Sequence, residues 1–281
     1  MLSRLLTPET RTQDQVRAQY EIEKELADKL RQASREERRR LYPEVYDEFF
    51  RRVPYQSQMQ RKASPELGRR LVAAQMRFLR KFLKPNLLFL ELGPGDCVLA
   101  FELAGYVKKV YAVEISKEIA ADAGAPPNFY LLISNGTSIP VAENSIDVGY
   151  SHQLMEHLHP DDASDQLGNL YQALRPGGIY ICITPNRLSG PHDISKHFDY
   201  EATGLHLKEY TREELRDLFR RVGFSRIRSY VGARGYYLRF PMAVSVKLEK
   251  MLTLFPLGLR RWLCHTVPMR LMLRIQMIGV K

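Results

Sequence analysis

Two acidic residues and a pair of glycines give this 281-residue chain its clearest chemical signal. The apolar run 87–92 contains Glu91 and is followed by Gly93 and Gly95. Glycine permits positive φ and a close approach of the backbone to a ligand, because it has no Cβ. A second strand-like run ends at Glu114, where a neighbouring parallel strand would carry a carboxylate to a ribose diol. The pattern predicts a strand-end site for a nucleotide-like ligand.

Histidines form a second group along the chain. Six of the seven lie in a 55-residue window that begins at the end of the predicted fourth strand. These are His152, His157, His159, His192, His197 and His206. In an open parallel sheet, such a window follows the carboxyl ends of the strands, where ligands bind. Imidazole titrates near neutral pH, so we predict a general base among His157, His192 and His197, in that order of preference.

A metal ion is the rival explanation for these histidines. His192 and Asp193, with His197 five residues after His192, offer three side chains that can bind a metal. However, no tight HxH or HxxxH pair with a matching carboxylate cluster appears, and a hard cation prefers oxygen ligands. The sequence therefore predicts no metal.

Two kinds of nucleotide site compete for the glycine motif. A dinucleotide fingerprint needs a third glycine at the sixth position, where this chain has Val98. The stretch 91–97 instead resembles the first motif of the class I S-adenosylmethionine-dependent methyltransferases, acid-x-Gly-x-Gly-x-Gly, with Cys97 in place of the third glycine. Later segments continue the resemblance in order. They are Glu114 after the second strand, 134–140 after the third, 144–147 before the fourth and 174–178 before the fifth.

The resemblance implies S-adenosylmethionine as cofactor and a set of residues that bind it. Glu114 would hold the ribose, and the first residues of the segment 151–157 would line the methionine portion. Asn135 stands where the family usually has an aspartate that accepts from the adenine amino group, and an asparagine carbonyl can accept the same hydrogen bond. The predicted cofactor residues are Glu91, Gly93, Gly95, Glu114, Ile115, Asn135, Gly136, Thr137, Ser151 and His152.

The resemblance also implies the fold. We expect an α/β, Rossmann-like, doubly wound sheet of seven strands, mostly parallel, with an antiparallel last strand. Residues 1–85 would form an N-terminal helical extension, and residues 86–281 the catalytic domain. Within the extension, Ser34 and Glu37 form a capping box that begins a helix.

The N-terminal extension has two interpretations. In related methyltransferases such helices often cap the cofactor, so Tyr46, Tyr55 and Gln58 are candidate lid residues. The alternative is a surface helix and loop with no ligand contact.

Composition and charge restrict the setting of the protein. The net charge of +10 divides into +8 for residues 1–86, −8 for 87–225 and +10 for 226–281. Basic flanks attract nucleic acid, anionic membrane or acidic substrates, although a solvated helical surface also explains them. Three separated cysteines, no apolar run of membrane-spanning length and no evident signal peptide predict a reduced, cytoplasmic setting with unpaired thiols.

The segment 232–273 is expected to be a helical insertion. It interleaves aromatic and aliphatic residues with arginine and lysine. Such a composition suits a lid over an apolar acceptor, a surface that rests on anionic lipid, or a helical pair packed on the domain or a dimer contact. The oligomeric state stays open.

Three functional classes follow from these features. The favoured one is a methyltransferase that acts on an oxygen, nitrogen or carbon atom of a small molecule, lipid-, glycan- or natural-product-like. A nucleic-acid methyltransferase is the runner-up on charge, but the chain has no recognisable nucleic-acid-binding module. The third class is a noncatalytic cofactor-binding protein, against which the intact Glu91, Glu114 and glycine pair argue.

Overall fold

A single eight-stranded sheet forms the centre of the molecule, in the strand order β3-β2-β1-β4-β5-β8-β6-β7. The computed structural model describes residues 11–56, 58–59, 64–120 and 124–281. The strands are β1 (Leu88–Leu92), β2 (Lys109–Glu114), β3 (Phe129–Ile133), β4 (Ile146–His152), β5 (Leu174–Thr184), β6 (Arg226–Ala233), β7 (Tyr236–Phe240) and β8 (Ile275–Val280). The helices are α1 (Gln13–Gln32), α2 (Arg35–Arg52), α3 (Pro65–Leu79), α4 (Val98–Ala104), α5 (Pro160–Ala173), α6 (Arg212–Val222), α7 (Met242–Thr253), α8 (Leu257–His265) and α9 (Val267–Leu273).

Strands β1 to β5 pair in parallel and confirm the doubly wound part of the prediction. Strands β1 and β4 are almost completely buried, as expected for central parallel strands covered on both faces. The last strand, β8, runs antiparallel to β5, with Cys182 opposite Met277. The carboxyl ends of the parallel strands therefore meet at one edge of the sheet, which is where a ligand is expected.

An eighth strand departs from the seven-stranded expectation. Strand β7 lies at the start of the segment that was predicted to be wholly helical, and it pairs antiparallel with β6. Only Arg234 and Gly235 connect the two strands, and both have positive φ, +55° and +84°. Two such residues form the hairpin turn that suits the twist of paired strands. Three helices, α7 to α9, make up the rest of the insertion.

The N-terminal helices pack against the carboxyl ends of the strands. Capping boxes begin both helices, at Thr12 for α1 and at Ser34 for α2. Their apolar sides join one core with residues of the sheet and of the turn after β4. This core includes Leu26, Leu30, Tyr42, Val45, Phe49, Leu92, Val113 and Met155. Helices α1 and α2 thus form part of the central packing.

Two sequence expectations concern the surroundings of the protein. The cysteines Cys97, Cys182 and Cys264 are all buried, and none of them forms a disulfide within the described residues. Within the described ranges, we find no helix whose length and hydrophobicity would allow it to cross a membrane.

Candidate cofactor and acceptor site

A cavity of about 340 Å³ lies at the carboxyl ends of β1 to β4. Its floor consists of the residues that follow these strands. They are Gly93 and Gly95 after β1, Glu114 and Ile115 at the end of β2, Ser134 and Gly136 after β3, and Gln153 and Leu154 after β4. Helices α1 and α2 and the loop 185–210 form the roof. We call the part of the cavity over the strand ends the cofactor half and the part beneath the roof the acceptor half.

The loop between β1 and α4 has the conformation that its glycines permit. Gly93 and Gly95 have φ of +65° and +59°. A Cβ on Gly93 would lie 3.0 Å from Leu154 Cδ1, so a side chain there would intrude on the cavity wall. Cys97 replaces the family's third glycine and still has φ of +60°, a left-handed value that non-glycine residues rarely adopt. The loop thus has left-handed backbone at Cys97 as well as at the two glycines.

Glu114 is the acid that best fits a ribose diol. It is buried, and its Oε2 accepts from the backbone N–H of Gly95 at 3.0 Å. Its Oε1 accepts from the N–H of Ile115 at 2.7 Å and of Ser116 at 3.2 Å. These bonds fix the carboxylate beside the glycine loop, and burial raises its pKa. A carboxylate has about four acceptor sites, so Glu114 retains capacity for the hydroxyl groups of a ribose.

The loop after β3 contributes backbone rather than the side chain that sequence reasoning selected. Gly136 lines the cavity with φ of +92°, and a Cβ there would lie 2.6 Å from a ring carbon of Tyr42. The Asn135 side-chain oxygen accepts from the backbone N–H groups of Thr137 at 3.1 Å and Ser138 at 2.9 Å. It also accepts from the Thr137 hydroxyl. Asn135 and Thr137 therefore bond to each other and do not line the cavity.

Glu91, Ser151 and His152 were predicted to bind cofactor, and the structure places all three outside the cavity lining. The hydroxyl of Ser151 bonds to that of Tyr180 at 2.6 Å. His152 Nε2 lies 2.6 Å from a guanidinium nitrogen of Arg274. Glu91 is buried beneath the loop, and burial together with the nearby acids raises its pKa to about 8. Together with Asn135 and Thr137, five of the ten predicted cofactor residues therefore lie outside the cavity lining.

The acceptor half is lined by polar side chains from three separate segments. Gln19 and Glu23 come from α1, His157 follows β4, and Asp193 and His206 lie in the loop 185–210. Glu23 accepts from Gln19 Nε2 at 2.6 Å, and burial raises its pKa to about 7. This combination of amide, carboxylate and imidazole groups suits a polar acceptor.

Of the three predicted bases, His157 and His192 line the cavity, and His157 is the one that follows β4. Its Nδ1 lies 3.1 Å from the carbonyl oxygen of Leu205. A carbonyl can only accept, so Nδ1 carries the proton and Nε2 the lone pair. Burial and the neighbouring His206 lower the pKa of His157 to about 3. The ring therefore remains neutral, as a hydrogen-bond acceptor, across the physiological pH range.

The other two predicted bases have different surroundings. His192 lines the cavity, but its Nε2 lies 3.0 Å from the Ser189 hydroxyl and 3.2 Å from the Asn186 carbonyl oxygen. His197 is exposed and does not line the cavity. The rival metal group of His192, Asp193 and His197 does not form in the part of the chain that the structure describes.

The roof is held to the loop 185–210 by specific contacts from α1. The Arg31 guanidinium donates to the carbonyl oxygens of Thr203 and Gly204, each at 2.9 Å. The Tyr20 hydroxyl donates to Asp199 Oδ2 at 2.7 Å. These contacts join the N-terminal helices to the loop that follows β5.

The lid residues predicted from sequence are placed differently from one another. Tyr46 and Gln58 line the cavity, and Tyr55 does not. Gln19, Glu23 and His206 were not among the predicted site residues, although all three line the cavity. The only sequence signal for the first two is a pair of polar residues one helical turn apart on the buried side of α1.

Fold and site together are those of an α/β domain with a ligand cavity at the strand ends, lined by a glycine loop and a strand-end acid. Residues 90–182 match the family model described as "Methyltransferase domain". A relative in Mycolicibacterium smegmatis, named a probable S-adenosylmethionine-dependent methyltransferase, is 28% identical over 136 residues. A relative in Mycobacterium tuberculosis, also named a probable S-adenosylmethionine-dependent methyltransferase, is 27% identical over 136 residues. These alignments cover 48% of this chain and 51% and 47% of the two relatives, so the chain spans about half of their length.

Solved structures show the same fold. Haemonchus contortus phosphoethanolamine N-methyltransferase 1 superposes with a TM-score of 0.57 at 12% identity, covering 88% of this chain and 50% of that chain. A chain from the complex of the Haloferax volcanii Trm112 methyltransferase activator superposes with a TM-score of 0.54 at 15% identity. The match covers 80% of this chain and 97% of that chain. The matched domain and these relatives support a class I S-adenosylmethionine-dependent methyltransferase, whose cofactor the glycine loop, Glu114 and Gly136 fit.

Proposed function

We propose that this protein transfers a methyl group from S-adenosylmethionine to a small molecule held in the acceptor half of the cavity. The observation that carries the proposal is the roof of α1, α2 and the loop 185–210, which places polar side chains opposite the cofactor half. When bound, the cofactor supplies a methyl group on a sulfonium, which is already activated for displacement. We favour a small molecule over a nucleic acid because the acceptor side chains lie beneath this roof.

The protein's own contribution is orientation. Holding a nucleophile in line with the methyl group can supply about 7–11 kcal/mol of the barrier in favourable intramolecular cases. We propose that His157 accepts the hydrogen bond of that nucleophile through Nε2. A general base works best when its pKa is near the working pH, and the pKa of His157 is about 3. His157 therefore positions the nucleophile and is a poor carrier of its proton.

The test is a search for the labelled product. Purified full-length protein is incubated with methyl-labelled S-adenosylmethionine and fractionated cell extract, and label is followed into small molecules, lipid, protein and RNA. We expect label in the small-molecule or lipid fraction, and none with the Glu114→Ala variant. Label found only in RNA or in protein would contradict the proposed acceptor class.

We also propose that the C-terminal insertion rests on an anionic membrane surface. Eleven of the fifteen exposed large apolar side chains in the described residues lie between 236 and 271, including Leu254 at 83% exposure and Trp262 at 66%. Residues 226–281 carry a charge of +10, and their single acid, Glu249, is buried against Arg212. Exposed apolar groups interleaved with basic ones suit the headgroup region of an anionic bilayer.

Trp262 is the only tryptophan of the chain and reports on this surface directly. We expect its emission to shift to the blue with phosphatidylglycerol vesicles, weakly with phosphatidylcholine, and less at high salt. The double variant Leu254→Glu, Leu257→Glu should abolish the shift. The double variant Tyr130→Glu, Ile133→Glu, which adds the same charge at two exposed apolar positions of β3, should not. Equal behaviour of the two variants would contradict membrane docking.

A further inference from the structure

Three side chains converge where the turn after β4 meets the loop 185–210. They are Glu156, His157 and His206, and one potential ligand atom from each lies within 4.8 Å of the others. Glu156 and His206 are buried, and both His157 and His206 line the acceptor half of the cavity. In the ranges covered by the structure, this is the one such group of histidine, cysteine and acidic residues.

The outer hydrogen bonds of both imidazoles leave the inner nitrogens available. His157 donates through Nδ1 to the carbonyl oxygen of Leu205 at 3.1 Å, and His206 donates through Nδ1 to Glu209 Oε1 at 2.7 Å. A backbone carbonyl and a carboxylate are the usual outer partners of metal-binding histidines, because they fix the tautomer and the ring orientation. His157 can thus present Nε2 as a ligand, and His206 can do so once a metal ion displaces its second proton, a proton that, despite burial, the neighbouring carboxylates favour by raising the pKa of this imidazole to about 9.

Glu156 supplies the third ligand and an independent reason to expect a cation. Its side chain is fully buried, and Oε2 accepts from the Thr184 hydroxyl at 2.8 Å. Its Oε1 has no hydrogen-bond partner among the described residues. A buried carboxylate oxygen without a partner is costly, and coordination to a metal ion is one of the few ways to satisfy it.

The charges around the cluster favour a cation as well. Four carboxyl groups are buried there, those of Glu23, Glu156, Asp193 and Glu209. Their hydrogen-bond donors are backbone amides, hydroxyls, the Gln19 amide and the imidazole of His206. Across the described segments, no lysine or arginine pairs with any of the four. A divalent ion would offset the negative charge of the ionised groups among them, which His206 offsets only in part through its contact with Glu209.

We propose that Glu156, His157 and His206 bind one divalent transition-metal ion of the zinc type, with a coordination position open to the cavity. Two imidazoles and one carboxylate with an open position match the ligand set of catalytic zinc sites. Magnesium is disfavoured, because it prefers oxygen ligands. The proposal replaces the sequence expectation of a metal-free site, and the ion takes over the Nε2 lone pair of His157.

The consequence for the acceptor rests on the proposed function. A hydroxyl oxygen bound at the open position would lose its proton more readily, since a metal ion lowers the pKa of bound O–H groups. The proton passes to solvent, the O–CH3 bond forms as the S–CH3 bond of the cofactor breaks, and the neutral thioether leaves.

Cobalt titration of the metal-free, full-length protein tests the site. We expect one Co²⁺ per chain, visible ligand-field bands of four or five coordination, and displacement by Zn²⁺. The variants Glu156→Gln and His206→Gln should each lose the bands. Glu209→Gln replaces the carboxylate that accepts from His206 Nδ1 and from the His192 N–H with a neutral amide oxygen, so it should keep the bands but bind about 10- to 100-fold more weakly.

The matched control is His265→Gln, since His265 is exposed on α8 and bonds to the Arg261 carbonyl oxygen. It should bind Co²⁺ like the wild type. Binding of S-adenosylhomocysteine shows which variants are folded, because the cofactor half lies apart from the cluster. A wild type without stoichiometric Co²⁺, or unchanged binding in both Glu156→Gln and His206→Gln, overturns the proposal. Protein that binds Co²⁺ but transfers no methyl group contradicts the proposed function and leaves the metal site standing.

Discussion

The two halves of the cavity are built in different ways. The cofactor half consists largely of backbone from successive strand ends, with Gly93, Gly95 and Gly136 in left-handed conformations and Glu114 fixed by three backbone N–H groups. The acceptor half consists of side chains that α1, the turn after β4 and the loop 185–210 bring together. Topology alone therefore positions the first half, whereas the second depends on how the roof packs.

The largest expected effect is loss of cofactor binding in Glu114→Ala. Hydrogen bonds to a charged group are worth about 1.5–3 kcal/mol each, so the loss of two ribose contacts should weaken binding about 10²- to 10⁴-fold. Isothermal titration with S-adenosylhomocysteine measures the change. Glu102→Ala removes an exposed glutamate of α4 and should leave the affinity unchanged. Full affinity in Glu114→Ala would show that the ribose is held elsewhere.

Glu91 should affect stability more than binding, because it is buried outside the cavity lining. Its pKa is about 8 in the folded protein against an ordinary value of 4.5. Between these values the folded state binds more protons than the unfolded state, so stability falls as pH rises from about 4.5 to 8. Glu91→Gln removes this penalty. The difference in free energy of unfolding between the variant and the wild type should therefore be about 2–4 kcal/mol more favourable to the variant at pH 8.5 than at pH 5. Urea unfolding at both pH values measures the gain.

A gain that is equal at pH 5 and pH 8.5 would contradict the raised pKa of Glu91. The cofactor affinity of Glu91→Gln is to be compared with that of Glu114→Ala. We expect the affinity of Glu91→Gln for the cofactor to stay within a few-fold of that of the wild type, since the Glu91 side chain lies outside the cavity lining.

The contrast between the halves also explains what the sequence could predict. Gly93, Gly95 and Glu114 are recognisable because their roles follow from local sterics and from the ends of apolar runs. Asn135 was assigned to the adenine, but its carbonyl is satisfied within its own loop, which a linear motif does not reveal. Gln19 and Glu23 reach the site through the packing of α1, about 70 residues before the first motif.

The missed strand β7 did leave a signal in the sequence. Arg234-Gly235 separates two runs rich in aromatic and β-branched residues, and a two-residue turn ending in glycine is typical of a hairpin. The basic and apolar composition of 232–273 drew attention to its helices instead. Composition over a long window therefore concealed a local turn.

The acceptor half is tested by His157→Ala. Loss of a group that positions the nucleophile, directly or through a bound ion, should lower kcat/KM by about 100-fold. The Kd of S-adenosylhomocysteine should change less than about threefold, well under 1 kcal/mol. His197→Ala is the matched control, because His197 is exposed outside the cavity lining, and it should retain activity. If His157→Ala loses cofactor affinity in parallel with turnover, the two halves are not energetically separate.

The smallest expected effect is that of Asn135→Asp, which restores the residue usual in the family. The Asn135 oxygen only accepts in this loop, from two backbone N–H groups and a hydroxyl, and a carboxylate oxygen can accept all three. Cofactor affinity should therefore change by less than about 0.5 kcal/mol. Asn135→Ala deletes the same bonds and should cost about 1–3 kcal/mol of stability. Tenfold tighter S-adenosylhomocysteine binding in Asn135→Asp would instead show that this side chain turns to the adenine, and that the loop contributes more than its backbone to the cofactor half.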